Sequence, residues 1–174
     1  MTLLTLHCHP ATPCTVVQDL CVTLERRVDG SLHLQYSLRG DLAHIRIPAL
    51  QTPTATDNLW QHTCFEAFIG VQGDSRYHEF NFSPSSQWAA YAFSGYREKL
   101  EWTGCTVHVT PHTDLQATIP ATAFPPNPQS KPLQLALSAV IETTTGEKSY
   151  WSLYHPTEHP DFHHRDGFIH EIWP

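Results

Sequence analysis

Hydrophobic and polar residues alternate with a period of two along most of the chain, the pattern of strands with one face buried. Leu32, Leu34, Tyr36 and Leu38 alternate with polar neighbours and follow a similar run from Val22 to Val28. Between the two runs lies Asp29-Gly30, a pair that accepts the positive φ of a tight turn, so the spacing predicts a hairpin. Ile45 and Ile47 extend the pattern into a short strand that Pro48 ends, and positions 51–58 read as a polar surface loop. The segment 59–71, LWQHTCFEAFIGV, is the most aromatic of the chain. In it Cys64, Glu66 and Phe68 share one strand face and Phe65, Ala67 and Ile69 the other, so both faces are expected to be covered. After a turn at Gly73-Asp74, Tyr77, Glu79 and Asn81 fall on one face of the next strand and His78, Phe80 and Phe82 on the opposite one. Pro84 to Ser86 turn the chain again into 87–93, QWAAYAF, and five further short runs follow, the last at 167–172, GFIHEI. Brief helical turns are expected only after Thr122 and around Tyr96 to Leu100. Short strands at this spacing predict an all-β antiparallel sandwich, immunoglobulin-like or jelly-roll-like.

Length and composition narrow this picture. The 174 residues suit one well-filled core, so residues 1–174 are read as a single domain. Fourteen prolines against eight glycines favour frequent chain reversal over long helices. Ten Lys and Arg against 17 Asp and Glu give a formal charge of −7 with no basic stripe, which argues against a nucleic-acid partner. The N-terminal MTLLTLHCHPATPC lacks the basic start and apolar run of a secretory signal. No stretch approaches the roughly 20 apolar residues that span a bilayer, so the expectation is a cytoplasmic protein with no membrane partner. Five cysteines without a CxxC pair fit reduced thiols rather than a disulfide framework or a zinc knuckle.

The chemistry-bearing residues point to binding. Trp60 precedes Glu66 by five intervening residues, which sets an aromatic face at the mouth of a strand and an acceptor further in. Sugars use that combination: a ring stacks its C–H face on the aromatic surface while carboxylates and amides meet its hydroxyls. A core Trp with an internally paired Glu gives the same spacing. Trp60 is assigned the stacking role, Glu66 and Glu79 accept from hydroxyls, and Asn81, Arg97 and Tyr77 complete a polar rim.

The segments LWQHTCFEAFI, YHEFNFSPSSQWAAY, FSGYR, SAVIE, SYWSLYHP and PDFHHRDGF together resemble bacterial DOMON-like domains, which are similar to family 9 carbohydrate-binding modules. The resemblance covers the chain after its first strand, with W-x5-E and EFNFSP its more specific parts. It implies a DOMON-type β-sandwich with a ligand cleft in which Trp60 forms one wall and Glu66 a polar anchor. It also implies a second aromatic wall near the C-terminal end, for which Trp151 and Phe162 are the candidates and Trp173 lies too near the end. Haem-binding relatives use axial Met and His; the only methionine here is Met1, which leaves a bis-His site through His78 as the haem alternative.

Rival readings use the same residues. His155, His159, Asp161, His163, His164 and Asp166 crowd a turn-rich C-terminal segment whose spacing matches no closed zinc motif. It is read as a loop that contacts ligand or solvent, with Asp161 and His163 as its candidate site residues and no metal or other cofactor assigned. Glu66 and Glu79 would also serve a small glycoside hydrolase or, with those histidines, a metal-assisted hydrolase. Exposed aromatics could instead form a protein-interaction face. No G-x-S-x-G elbow or phosphate loop is present, so no catalytic residue is assigned. The leading expectation is a non-catalytic domain for a small, sugar-like ligand held at micromolar affinity or weaker.

Overall fold

In the computed structural model, residues 1–110 and 114–173 are described. Among them the first seven strands are β1 (Thr2–Thr5), β2 (His7–Cys8), β3 (Val17–Arg26), β4 (Leu32–Gly40), β5 (Cys64–Val71), β6 (Tyr77–Phe82) and β7 (Trp88–Gly95). Six more follow: β8 (Glu98–Leu100), β9 (His108–Thr110), β10 (Asp114–Ile119), β11 (Leu133–Glu142), β12 (Lys148–Ser152) and β13 (His170–Ile172). They form two sheets, one in the order β1-β3-β4-β10-β9 and one in the order β2-β12-β11-β5-β6-β7-β8, with β13 pairing to β11. The protein is an all-β antiparallel sandwich. Its helical segments among the described residues are single 3-10 turns, none long or apolar enough to cross a membrane.

The alternation anticipated from the sequence builds the core between the sheets. Leu32, Leu34, Tyr36 and Leu38 of β4 face Phe65, Ala67 and Ile69 of β5 and Phe80 and Phe82 of β6 in one buried cluster. The β3–β4 hairpin turns where expected, with Gly30 at φ +80° and Asp29 Oδ1 accepting from the Ser31 amide at 2.9 Å. One polar bond crosses the core: the buried Tyr36 hydroxyl donates to the backbone carbonyl of Glu66 at 2.7 Å, tying the smaller sheet to the strand that carries the site.

Two local expectations fail. Ile45 makes only an isolated bridge to Thr143, because the chain enters a 3-10 turn at Leu42–His44 and Pro48 follows closely, so no Ile45–Ile47 strand forms. Residues 96–100 form no helix: a bulge between Phe93 and Gly95 and a left-handed Arg97 at φ 58° close a tight hairpin into β8. The other brief helical turn is a 3-10 segment at Ala121–Ala123.

Replacing Tyr36 with Phe keeps the ring and removes one buried hydrogen bond. We expect a loss of about 1–2 kcal/mol in urea unfolding with an unchanged m-value; an unaltered midpoint would show that the bond carries no net stability.

Candidate functional site

The larger sheet is covered on both faces, and its outer face carries the candidate site. Antiparallel register puts paired residues on the same face, so the side chains fall into rows across the strands. One row reads Ser152, Ser138, Glu66, Asn81, Ala89 from β12 to β7. The next reads Ala136, Phe68, Glu79, Tyr91, and the one beyond Gly70, Tyr77, Phe93, Lys99. The first row is polar and ends in small side chains, whereas the two rows after it carry aromatic rings. The result is a recess in an aromatic surface.

Over this recess opens a cavity of about 740 Å³, within the usual range of about 300–1,000 Å³ for small-ligand sites. Glu66, Phe68, Glu79 and Tyr91 line its floor. Trp60 stands at the mouth, 48% exposed, on the 3-10 turn Leu59–Gln61 that follows a left-handed Asn58. Tyr150 of β12 and Phe162 of the C-terminal loop also line the cavity, with ring centroids 5.9 Å apart. On another part of the wall Tyr91 donates to Asp57 at 2.7 Å, and Lys99 Nζ lies 3.9 Å from the centre of the Tyr91 ring.

The carboxylates are the unusual groups. Glu66 is only 3% exposed and Glu79 6%. Glu66 accepts from Ser138 Oγ at a long 3.5 Å, and Glu79 Oε1 accepts from Asn81 Nδ2 at 2.7 Å. Burial, then the charge of Glu79, pushes Glu66 well above the usual carboxylate range. Burial pushes Glu79 up to about 6, against the lowering effect of Asn81, Lys99 and Arg97. Desolvation disfavours the ionised form, and two neighbouring like charges disfavour it further.

A loop from the C-terminal region locks onto this floor. The Tyr77 hydroxyl lies 3.2 Å from the Arg97 amide, which donates to it, and 2.8 Å from His163 Nδ1. The direction of the bond between the hydroxyl and Nδ1 follows the tautomer of His163, whose other ring nitrogen, Nε2, lies 3.7 Å from Glu79 Oε2. His163 sits among Phe68, Tyr77 and Phe93, and burial followed by the Arg97 charge lowers it to about 4. Arg97 donates to Asp161 at 3.0 Å and Tyr96 donates to the same carboxylate at 2.8 Å. Burial alone would raise Asp161, but these two donors carry it below its ordinary value.

Most of the residues named from the sequence therefore converge. Trp60, Glu66, Glu79, Arg97, Phe162 and His163 line the cavity. Tyr77 and Asn81 are not on the rim: both are fully buried and hold His163 and Glu79 from beneath. Asp161 braces Arg97. Trp151 is misplaced as a second wall, because it lies in the core between the sheets at 6% exposure and donates from Nε1 to Ser149. Its neighbour Tyr150 takes the cleft position. His78 likewise faces away from the cleft, against Trp102 and the Ala123 carbonyl, and cannot contribute to a haem site there. The remaining C-terminal histidines disperse: His155 reaches the His7 carbonyl and His164 accepts from the Asp166 amide. Among the described residues no group of three or more His, Cys, Asp or Glu side chains is disposed to hold a metal.

Sequence reasoning missed Asp57, Tyr91, Lys99 and Tyr150. Tyr91 was reachable, since it stands two positions from Phe93 on a strand whose register follows from β6.

No protein-family model matches the chain, and no curated protein matches it in sequence. Among solved structures, a proposed carbohydrate-binding protein from Bacteroides uniformis superposes with a TM-score of 0.74 at 16% identity. The match covers 97% of this chain and 84% of that one, so the two share their sandwich fold.

Glu79 and His163 give stability opposite pH dependences. Folded Glu79 holds its proton to about 6 instead of 4.5, so its contribution is most favourable below about 4.5 and falls by roughly 2 kcal/mol as pH rises to about 6. Folded His163 stays neutral down to about 4 instead of 6.5, so its contribution is full above about 6.5 and is lost, by on the order of 3 kcal/mol, as pH falls toward 4. Measured by urea unfolding across this window, Glu79→Gln should gain stability relative to wild type as pH rises, and His163→Gln should lose it. Differences of the same sign in both variants would refute the assignment.

Proposed function

We propose that the chain is a non-catalytic domain that binds a small, sugar-like ligand in the cleft above Glu66 and Glu79. The observation that carries this reading is the recessed pair Glu66 and Glu79 beside the rings of Phe68 and Tyr91, in a cleft that Trp60, Tyr150 and Phe162 also line. A saccharide ring is amphipathic in the same sense, with C–H faces for stacking and an equator of hydroxyls for hydrogen bonds. Trp60, Tyr150 and Phe162 supply faces; Glu66, Glu79 and Arg97 supply polar partners. The fold shared with a proposed carbohydrate-binding protein supports the reading, as does the resemblance to DOMON-like domains and family 9 carbohydrate-binding modules. In this reading Tyr150 and Phe162 take the part of the second aromatic wall.

Binding is tested by tryptophan fluorescence and calorimetry against a panel of mono- and disaccharides. Trp60→Ala and Phe162→Ala should each weaken a binding sugar by roughly tenfold. Trp151→Phe, on the other face of its strand, should leave affinity unchanged. Loss of binding in Trp151→Phe with full binding in Trp60→Ala would place the site elsewhere.

A further inference from the structure

The floor of the cleft is short of hydrogen-bond donors. Glu66 has one long contact with Ser138, and Glu79 has one short bond from Asn81 and a distant His163. Asn81 Oδ1 is buried with no partner. The nearby cations are engaged elsewhere, Arg97 with Asp161 and Lys99 with the Tyr91 ring. Among the lining side chains Asp57, Glu66 and Glu79 outnumber Arg97 and Lys99, in a chain that is itself acidic at −7.

A hydroxyl offers one donor and no charge. A protonated primary amine offers three donors and the positive charge that the pair lacks. Its placement between two desolvated carboxylates, with aromatic faces at Phe68, Tyr91 and Trp60, would also gain from attraction between the cation and the rings. We propose that the ligand presents a protonated amino group to Glu66 and Glu79, and that the sugars this cleft takes are amino sugars with a free amine. The inference rests on the sugar-binding reading and sharpens it.

The charge balance has a consequence for protons. In the free chain the pair relieves its burial by staying protonated; an ammonium group relieves it by charge compensation, so binding expels a proton into solvent. Beside the pair are Cys64 and Tyr77 from the same sheet and Tyr91 and Lys99 from β7 and β8, while Tyr36 of the opposite sheet reaches the Glu66 backbone from the core side. Asp57 precedes the Trp60 turn, Arg97 caps the β7–β8 hairpin, and Asp161 and His163 come from the C-terminal loop. Burial raises Cys64 and the three tyrosines, and His163 is lowered to about 4, which leaves Glu79, raised to about 6, and Glu66, raised well above the usual carboxylate range, as the groups whose protons binding can displace.

The test is calorimetric titration of the whole chain with D-glucosamine, N-acetyl-D-glucosamine, D-glucose and ethanolamine, near pH 6 and at neutrality, in buffers of different ionisation enthalpy. D-glucosamine should bind at least about tenfold tighter than either neutral sugar and should release protons. Glu66→Gln and Glu79→Gln, each checked for folding by circular dichroism, should abolish that preference and the proton release. Equal or tighter binding of D-glucose or its N-acetylated amine relative would overturn the amine inference and leave the sugar reading standing. Ethanolamine binding as tightly as D-glucosamine would keep the amine and remove the sugar. No heat from any of the four with a folded chain, at tens of millimolar, would remove both.

Discussion

Two carboxylates buried side by side, with no Lys or Arg ion-paired to either among the described residues, set the terms for this molecule. A sheet with one face on the core and one in water would leave Glu66 and Glu79 solvated and ordinary. Here the outer face is roofed by the Trp60 turn and the C-terminal loop, so the pair is desolvated and holds protons to unusually high pH. Removing charge from water is expensive unless it is neutralised or compensated. The free fold neutralises it through burial, with a His163 that stays uncharged, while Asn81 beneath Glu79 and Ser138 beside Glu66 donate to the pair and pull the other way without prevailing.

The roof depends on a short chain of polar contacts. Arg97 adopts a left-handed backbone in the β7–β8 turn, which lets its amide reach the Tyr77 hydroxyl while its guanidinium reaches Asp161. That hydroxyl bonds His163, whose ring fills the space among Phe68, Tyr77 and Phe93. The loop is thus held by a buried aromatic plug and by charge pairing at the edge. Loss of either would open the floor to water and return Glu79 toward an ordinary carboxylate, so the loop's packing and the site's electrostatics are one property.

How much of this the sequence discloses depends on where period-two reasoning has a fixed reference. In β5 and β6 the aliphatic and aromatic residues Phe65, Ala67, Ile69, Phe80 and Phe82 identify the core face, and Glu66 and Glu79 follow onto the other. That inference succeeds. In β12 both Tyr150 and Trp151 are aromatic, so periodicity has no reference, and a shift of one residue exchanges cleft for core. His78 shares its strand face with Phe80 and Phe82, so the reference that places Glu79 in the cleft turns His78 away from it. β1 was invisible for another reason: Thr2–Thr5 is a largely exposed edge strand with no buried face to read. The long-range meeting of Arg97 with Asp161, 64 positions apart, is a tertiary event that local spacing does not encode.

Folding has already met the cost of assembling this site. The carboxylates are desolvated, the rings are packed and the roof is anchored before any ligand arrives, so little reorganisation is left for binding. Burial raises both carboxylates, Glu79 to about 6 and Glu66 well above the usual range. While protonated they can donate to a ligand's oxygens, and on losing a proton they accept from a cationic donor at the same place. The floor therefore answers to the charge of what it binds through proton exchange rather than through movement of the strands that carry it.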